Sequence, residues 1–292
     1  MRRRRSLTVL ALMGLAAGVA VLVAGSGRHH RPHARGTSAS RPALIAVGTP
    51  KRLAVPSHGL APRRLGAERA ALHRFLEHGL PIYCGGRRRR EVALTFDDGP
   101  GPYSAYAVRV LRRARARATF FLVGKELAYR PQIPRLEESV AALGDHTWSH
   151  HPLVLLSQAA LATELASAKR AISGLAREPI QMFRPPYGET DAAVLREAEA
   201  LGMVEVLWSV DSGDSRPGAD AAKVARRVKR LVRPGSIVLM HENRGQTMKA
   251  LRSQILPFLR RDRLRAVSVP ALLATDPPSL SRQRAGLAGC LS

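Results

Sequence analysis

A chain of 292 residues is long enough for one large domain or two small ones, and 45% hydrophobic residues supply a sizeable core. The net charge of +25 is uneven: residues 1–90 hold 18 Lys/Arg against 2 Asp/Glu, and residues 91–292 hold 29 against 20. With 41 Arg against 6 Lys in an Ala-rich chain, a GC-rich coding bias explains the excess more simply than a nucleic-acid partner, and no aromatic-interleaved basic patch or groove-reading helix supports one.

The N-terminus reads as an address. Arg2 to Arg5 form a positive n-region, and Leu7 to Gly25 is an uncharged apolar stretch of 19 residues, long for a signal-peptide core and just long enough for a membrane span. Ala24-Gly25-Ser26 offers small residues for cleavage, and no Cys follows that would take a lipid anchor. Residues 1–25 are thus expected to be a signal peptide or signal-anchor helix. The rest of the chain is expected to be exported, tethered to the membrane by that helix or secreted.

Residues 26–65 are rich in Gly, Ser, Pro, Arg and His, and read as a disordered basic linker in which His29, His30 and His33 are solvated rather than metal-bound. Residues 66–90 are a lead-in, with a helix over Ala67–His78, the first cysteine at Cys84, and a surface charge run from Arg87 to Arg90. The second cysteine, Cys290, lies in the tail, residues 276–292. The two flank the intervening domain, and an oxidising compartment predicts a disulfide between them.

From Glu91 strands alternate with helices. The pattern predicts strands over Val92–Phe96, Ala118–Val123, Ile180–Phe183, Met203–Val210, Ile237–Met240 and Leu264–Val269. It predicts helices over Ala105–Arg115, Glu137–Leu143, Gln158–Ala176, Ala192–Leu201, Ala219–Leu231 and Met248–Arg261. Residues 91–275 therefore read as an α/β domain, a distorted or incomplete (β/α) barrel.

Polar residues cluster at the ends of these strands. Asp97 and Asp98 follow the first, Arg184 ends the Ile180–Phe183 strand, Asp211 the Met203–Val210 strand and His241 the Ile237–Met240 strand. In a parallel barrel such ends meet on one face. Beyond Glu91 only four of the chain's 10 histidines remain: His146, His150, His151 and His241. His146 and His150 have the i, i+4 spacing that a helical turn places on one side, within reach of one metal ion, and Asp98 offers a third ligand. Strand geometry sends the side chains of Asp97 and Asp98 to opposite sides, so one can bind the metal and the other act as a base.

Taken together, Thr95-Phe96-Asp97-Asp98-Gly99-Pro100, His146-Thr147-Trp148-Ser149-His150, Arg184-Pro185-Pro186-Tyr187-Gly188, Asp211-Ser212-Gly213-Asp214 and Leu239-Met240-His241 resemble, in order, the five motifs of the polysaccharide deacetylases of carbohydrate esterase family 4, the NodB-homology domain. The resemblance covers about Glu91 to Leu273. It implies metal-dependent hydrolysis of acetyl groups from sugars, with Asp98, His146 and His150 as metal ligands. It also implies Asp97 as general base, Arg184 as its partner, His241 as general acid and Asp211 as the partner of His241. The backbone N–H of Tyr187 would serve the oxyanion, and Leu239, Trp208 and Pro186 would line the substrate pocket. Two departures stand out: His151 intervenes between His150 and Pro152, and Ser215 occupies the position where the fourth motif usually ends in Trp.

The expected activity is hydrolysis of an N-acetylated glycan, peptidoglycan first because an exported protein meets it first. Chitin-type oligosaccharides and O-acetylated xylan are rivals, and a silent sugar-binding protein is an alternative that the presence of Asp97 and His241 disfavours. The expected cofactor is one divalent ion, zinc ahead of cobalt, nickel or manganese. A monomer is expected, with the glycan, the membrane through the N-terminal helix, and no nucleic acid as its contacts.

Overall fold

The structure, a computed structural model, describes residues 62–291, so the predicted leader and nearly all of the predicted linker lie outside the described residues. No helix among the described residues is long and apolar enough to cross a membrane.

The architecture follows from the alternation in β1 (Glu91–Gly99). Val92, Leu94 and Phe96 belong to an outer apolar core, whereas Ala93 belongs to an inner one. Thr95 and Asp97 share Ala93's parity and point inward with it. A strand buried on both faces is what a parallel sheet covered by helices requires.

The sheet is parallel throughout. On one side of β1 lie β2 (Ala118–Leu122), β3 (Ala141–Asp145), β4 (Met182–Phe183) and β5 (Val204–Glu205) in that order. On the other lie β7 (Ile237–His241) and then β6 (Val210–Asp211), while β8 (Arg265–Val267) pairs with the first residues of β1. The two edge strands, β5 and β6, do not pair with each other. Residues 206–209 span the opening between them, with Val206 bridged to Ile82 and the Ser209 N–H donating to the Ile237 carbonyl. This is the incomplete barrel that the alternation predicts.

Helices α2 (Ser104–Ala114), α3 (Ile133–Glu138), α4 (Gln158–Leu175), α5 (Ala192–Ala200) and α6 (Ala221–Leu231) cover the outside. The last long helical stretch runs as α7 (Gly245–Ala250), a π-helical segment (Leu251–Ile255) and α8 (Leu256–Arg261). Pro257 lacks an N–H and crowds the preceding turn, a physical reason for the wider segment.

The barrel interior is filled from below. Ala93, Phe121, Met182, Val204, Ile237 and Val267 meet Ala71, Leu72 and Phe75 of α1 (Pro62–His78) and Leu272 and Leu273 of α9 (Val269–Thr275). The predicted lead-in is thus the plug of the barrel floor. Full burial of a side chain as large as Phe75, 3% exposed here, is worth about 2–3 kcal/mol. The tail forms α10 (Leu280–Arg284) and α11 (Gly286–Leu291), and Cys290 is disulfide-bonded to Cys84.

Two predicted elements are corrected. The helix expected over Glu137–Leu143 ends at Glu138, and Ala141–Asp145 is a strand lodged between β2 and β4. Ala and Leu favour helix locally, but Gly144 lets the Phe121 ring close onto the backbone: a Cβ there would sit 2.5 Å from its Cδ1. The single strand expected over Met203–Val210 is two short strands, β5 and β6, separated by the crossing segment.

Candidate active site

The mouth of the barrel collects the strand-end residues. At the end of β1 the register shifts between Phe96 and Gly99, and Asp98 takes φ +68°. Regular alternation would point Asp98 away from Asp97. The irregularity brings both carboxylates to one imidazole, with His146 Nε2 3.9 Å from Asp97 Oδ2 and 3.7 Å from Asp98 Oδ1. The expectation that the pair face opposite sides is therefore corrected. The segment from His146 to His150 is also a loop rather than a helical turn, with Thr147 and His150 at φ +68° and +63°.

That loop places His150 Nε2 3.3 Å from Asp98 Oδ1. Donor atoms of Asp98, His146 and His150 all lie within 4.8 Å of one another, whereas His151 is exposed and outside this group. His146 donates from Nδ1 to the Arg184 carbonyl at 2.7 Å, which turns its Nε2 lone pair toward the other two donors. One carboxylate and two imidazoles with room for further ligands fit a divalent transition ion. Burial pushes the Asp98 carboxyl up, but the hydrogen bond to His150 and the fields of His146 and His241 outweigh it and hold it well below the carboxylate range. Burial pushes the fully enclosed His146 down, toward the neutral form a ligand needs.

Asp97 is buried, and its Oδ1 accepts from Arg184 Nη1 at 2.8 Å. Arg184 is itself fully enclosed. It donates from Nε to the Val206 carbonyl, from Nη2 to the Leu207 carbonyl and from Nη1 also to Thr95 Oγ1, and it stacks over Phe121 with 4.1 Å to the ring centroid. A guanidinium with these partners cannot swing away, so the Asp97 carboxylate is fixed in direction.

His241, at the end of β7, donates from Nδ1 to Asp214 Oδ1 at 2.8 Å, and its backbone N–H donates to Asp214 Oδ2 at 2.7 Å. Thr247 also donates its hydroxyl to Asp214 Oδ2. Asp211, expected as the partner of His241, is not that partner. Its Oδ1 accepts the Gly213 N–H and its Oδ2 pairs with Arg216 at 2.8 Å. The chain turns after β6 through Gly213 at φ +71°, and the turn delivers Asp214 to the imidazole. An Asp two residues before a turn glycine is a side chain that closes the turn, and that was the available signal. Burial alone would lower His241, but the Asp214 hydrogen bond and charge dominate and push it up to about 9. At neutral pH the imidazole is cationic.

The Arg184 motif continues into the Pro186–Gly188 turn, where Pro186 is buried and Tyr187 takes φ +62° with its ring 5.0 Å from that of His150. Trp208 is half-buried; its ring lies 5.6 Å from the Arg184 guanidinium and touches Gly188. Leu239 is buried two residues before His241 and so shares its face of β7. Beyond the predicted residues the mouth also contains Thr95, Thr247 and Asn243, whose amide donates to Asp98 Oδ2 at 3.2 Å.

Residues 85–206 match the family model described as polysaccharide deacetylase. A peptidoglycan-N-acetylglucosamine deacetylase of Bacillus cereus is 35% identical over 191 residues, which cover 62% of this chain and 87% of that protein. This chain belongs to the polysaccharide deacetylase family. A second family member, a chitooligosaccharide deacetylase of Bradyrhizobium, is 35% identical over 190 residues, covering 59% of this chain and 85% of the relative. Among solved structures, a family 4 carbohydrate esterase pseudoenzyme from Bacillus anthracis superposes with a TM-score of 0.62 at 26% identity, covering 66% of this chain and 68% of that one.

Proposed function

We propose that this chain is an active, metal-dependent N-deacetylase of a glycan, with peptidoglycan sugars as the preferred substrate, and that it works outside the cytoplasm. The observation that carries the reading is the arrangement of three groups around one opening: the Asp98–His146–His150 donor set, the Arg184-held Asp97, and the Asp214-held His241. A vestigial sugar-binding site would have no use for both proton-transfer groups. The Bacillus cereus relative supports the peptidoglycan preference, and the charged, apolar leader supports export.

The ion, with zinc first among candidates, would be held by Asp98, His146 and His150 and would polarise the acetyl carbonyl and acidify water beside it. Asp97 accepts the proton of the attacking water, and Arg184 keeps its carboxylate aimed. The Tyr187 backbone N–H, in a turn where that residue takes φ +62°, donates to the oxygen that gains negative charge. His241 passes a proton to the departing amine nitrogen, and Asp214 stabilises the cation beforehand. One water and one amide give acetate and a free amine. Leu239, Trp208 and Pro186 supply the apolar wall that an acetyl methyl group needs.

The test is acetate release by the purified protein from peptidoglycan, chitooligosaccharide and acetylxylan, before and after chelation and with zinc restored. Release from peptidoglycan that chelation abolishes and zinc restores is the expected result. Equal release from acetylxylan would make the enzyme an esterase, and none from any substrate would leave the silent sugar-binding reading.

A further inference from the structure

Behind the mouth lie two carboxyl groups that the deacetylation steps do not use. Glu242 directly follows His241, and Glu137 sits in the last turn of α3. Both side chains are fully buried, at 0% exposure. Glu242 Oε1 accepts the Gly101 N–H at 3.2 Å. The remaining three oxygens, both of Glu137 and Oε2 of Glu242, receive no N–H from any described residue. What faces them is the opposite carboxyl and the Ser104 hydroxyl. Asp98 is the other charge felt by Glu242, and it is negative.

Two ionised carboxylates cannot share a dry site without a cation. A protonated carboxyl, by contrast, becomes a donor and can bond to a carboxylate facing it. Burial pushes both groups up, Glu242 to about 7 and Glu137 well above its ordinary value, as such an arrangement requires.

The pair occupies a structurally decisive place. The Glu242 backbone N–H donates to the Asp97 carbonyl at 3.1 Å, and the neighbouring Asn243 holds Asp98. The Glu242 side chain runs beneath Gly99 so closely that a Cβ there would fall 1.6 Å from Oε1. Glu137 thus anchors the far end of a side chain that spans from the His241 strand to the loop carrying both aspartates. We propose that Glu137 and Glu242 share one proton in a carboxyl–carboxylate hydrogen bond, and that this bond positions the Asp97–Asp98 loop against His241. They are positioning residues, and the catalytic half of the proposal rests on the deacetylase reading above.

The experiment has two readouts on the metal-loaded protein. In the first, Glu242→Gln keeps a donor toward Glu137 and an acceptor for Gly101, so kcat stays within about threefold. Glu242→Ala removes both, and kcat falls about 10- to 100-fold with KM little changed and metal still bound, the scale expected from misplacing reacting groups. In the second, an infrared difference spectrum between wild type and the isosteric double variant Glu137→Gln/Glu242→Gln contains the C=O stretch of a protonated carboxyl, present only in wild type. A folded Glu242→Ala protein with wild-type kcat overturns the positioning role. Identical carboxyl bands in wild type and the double variant overturn the shared proton, and this arm decides that point even where Glu242→Ala does not fold. A wild-type protein that releases no acetate overturns the deacetylase reading and the positioning role with it, while the infrared band still reports on the pairing.

Discussion

Asp97 and Asp98 have the same chemistry and adjacent places in the chain, yet the fold gives them different partners. Asp97 is locked to Arg184, whereas Asp98 faces two imidazoles. Asp97→Asn should keep the metal and lose about 10²–10⁴-fold in rate, as removal of a general base does. Asp98→Asn should lose metal affinity, with activity partly restored by excess zinc. Metal stoichiometry and rate on the two variants check this, and an empty site in Asp97→Asn would reverse the assignment. His241 gives a second prediction. Because its pKa is raised to about 9, the acid form needed for leaving-group protonation persists to that pH, and the rate should fall only above it. Asp214→Asn removes the largest contributions that raise it, leaving burial opposed only by the fields of Asp97 and Asp98, so the alkaline limb of the pH–rate profile should move toward acid. Asp211→Asn should leave the limb in place. The same group affects stability with a definite sign. Its folded pKa exceeds the unfolded value of 6.5, so its contribution, about 3 kcal/mol at most, is complete below pH 6.5 and is lost as pH rises through 9. Residue identities were legible because Asp, His and Arg at strand ends have few other reasons to converge. The partner of His241 was not, because proximity in sequence to a strand end favours Asp211, and only the Gly213 turn delivers Asp214 instead.

Among the elements, the alternation of β1 made the barrel readable, since a strand with apolar residues on both faces belongs inside a covered parallel sheet. The end of the same strand was not readable from alternation, because a register shift and a positive φ suspend the period of two where the site begins. β3 escaped for a different reason. Its Ala-Ala-Leu-Gly-Asp sequence carries helix formers, and only the neighbours on either side and the Phe121 ring over Gly144 make it a strand. Gly99→Ala tests the strand end. The added methyl meets Glu242 Oε1 and, at 2.9 Å, Leu122 Cδ2, and both are enclosed. We expect a loss of about 1–3 kcal/mol in denaturant unfolding, the usual cost of overpacking, with reduced kcat in the fraction that remains folded. An unchanged midpoint would mean that the loop has more slack than the geometry allows.

At the scale of the whole molecule, the lead-in and the tail meet below the barrel floor, on the side away from the mouth. Cys84 forms a bridge with Ser236, just before β7, and its Cα lies 5.9 Å from that of Cys290, an ordinary separation for a disulfide. The bond closes a loop with a sequence separation of 206, for which the chain-entropy model allows about 5 kcal/mol. Cys84→Ser should therefore lower unfolding free energy by about 2–5 kcal/mol while leaving metal affinity and kcat unchanged, since neither cysteine approaches the mouth. A variant as stable as wild type would place the stability of the floor in α1 and α9 alone.

The same bond makes almost the entire catalytic body a covalent ring. A ring opened once is still a single molecule. A protease that cuts the outer loop at Leu155, whose side chain is 76% exposed, gains a nick and releases no fragment. The new ends stay held by the sheet on both sides and by the covalent path that runs the other way round, and a second cut is needed before any piece can leave.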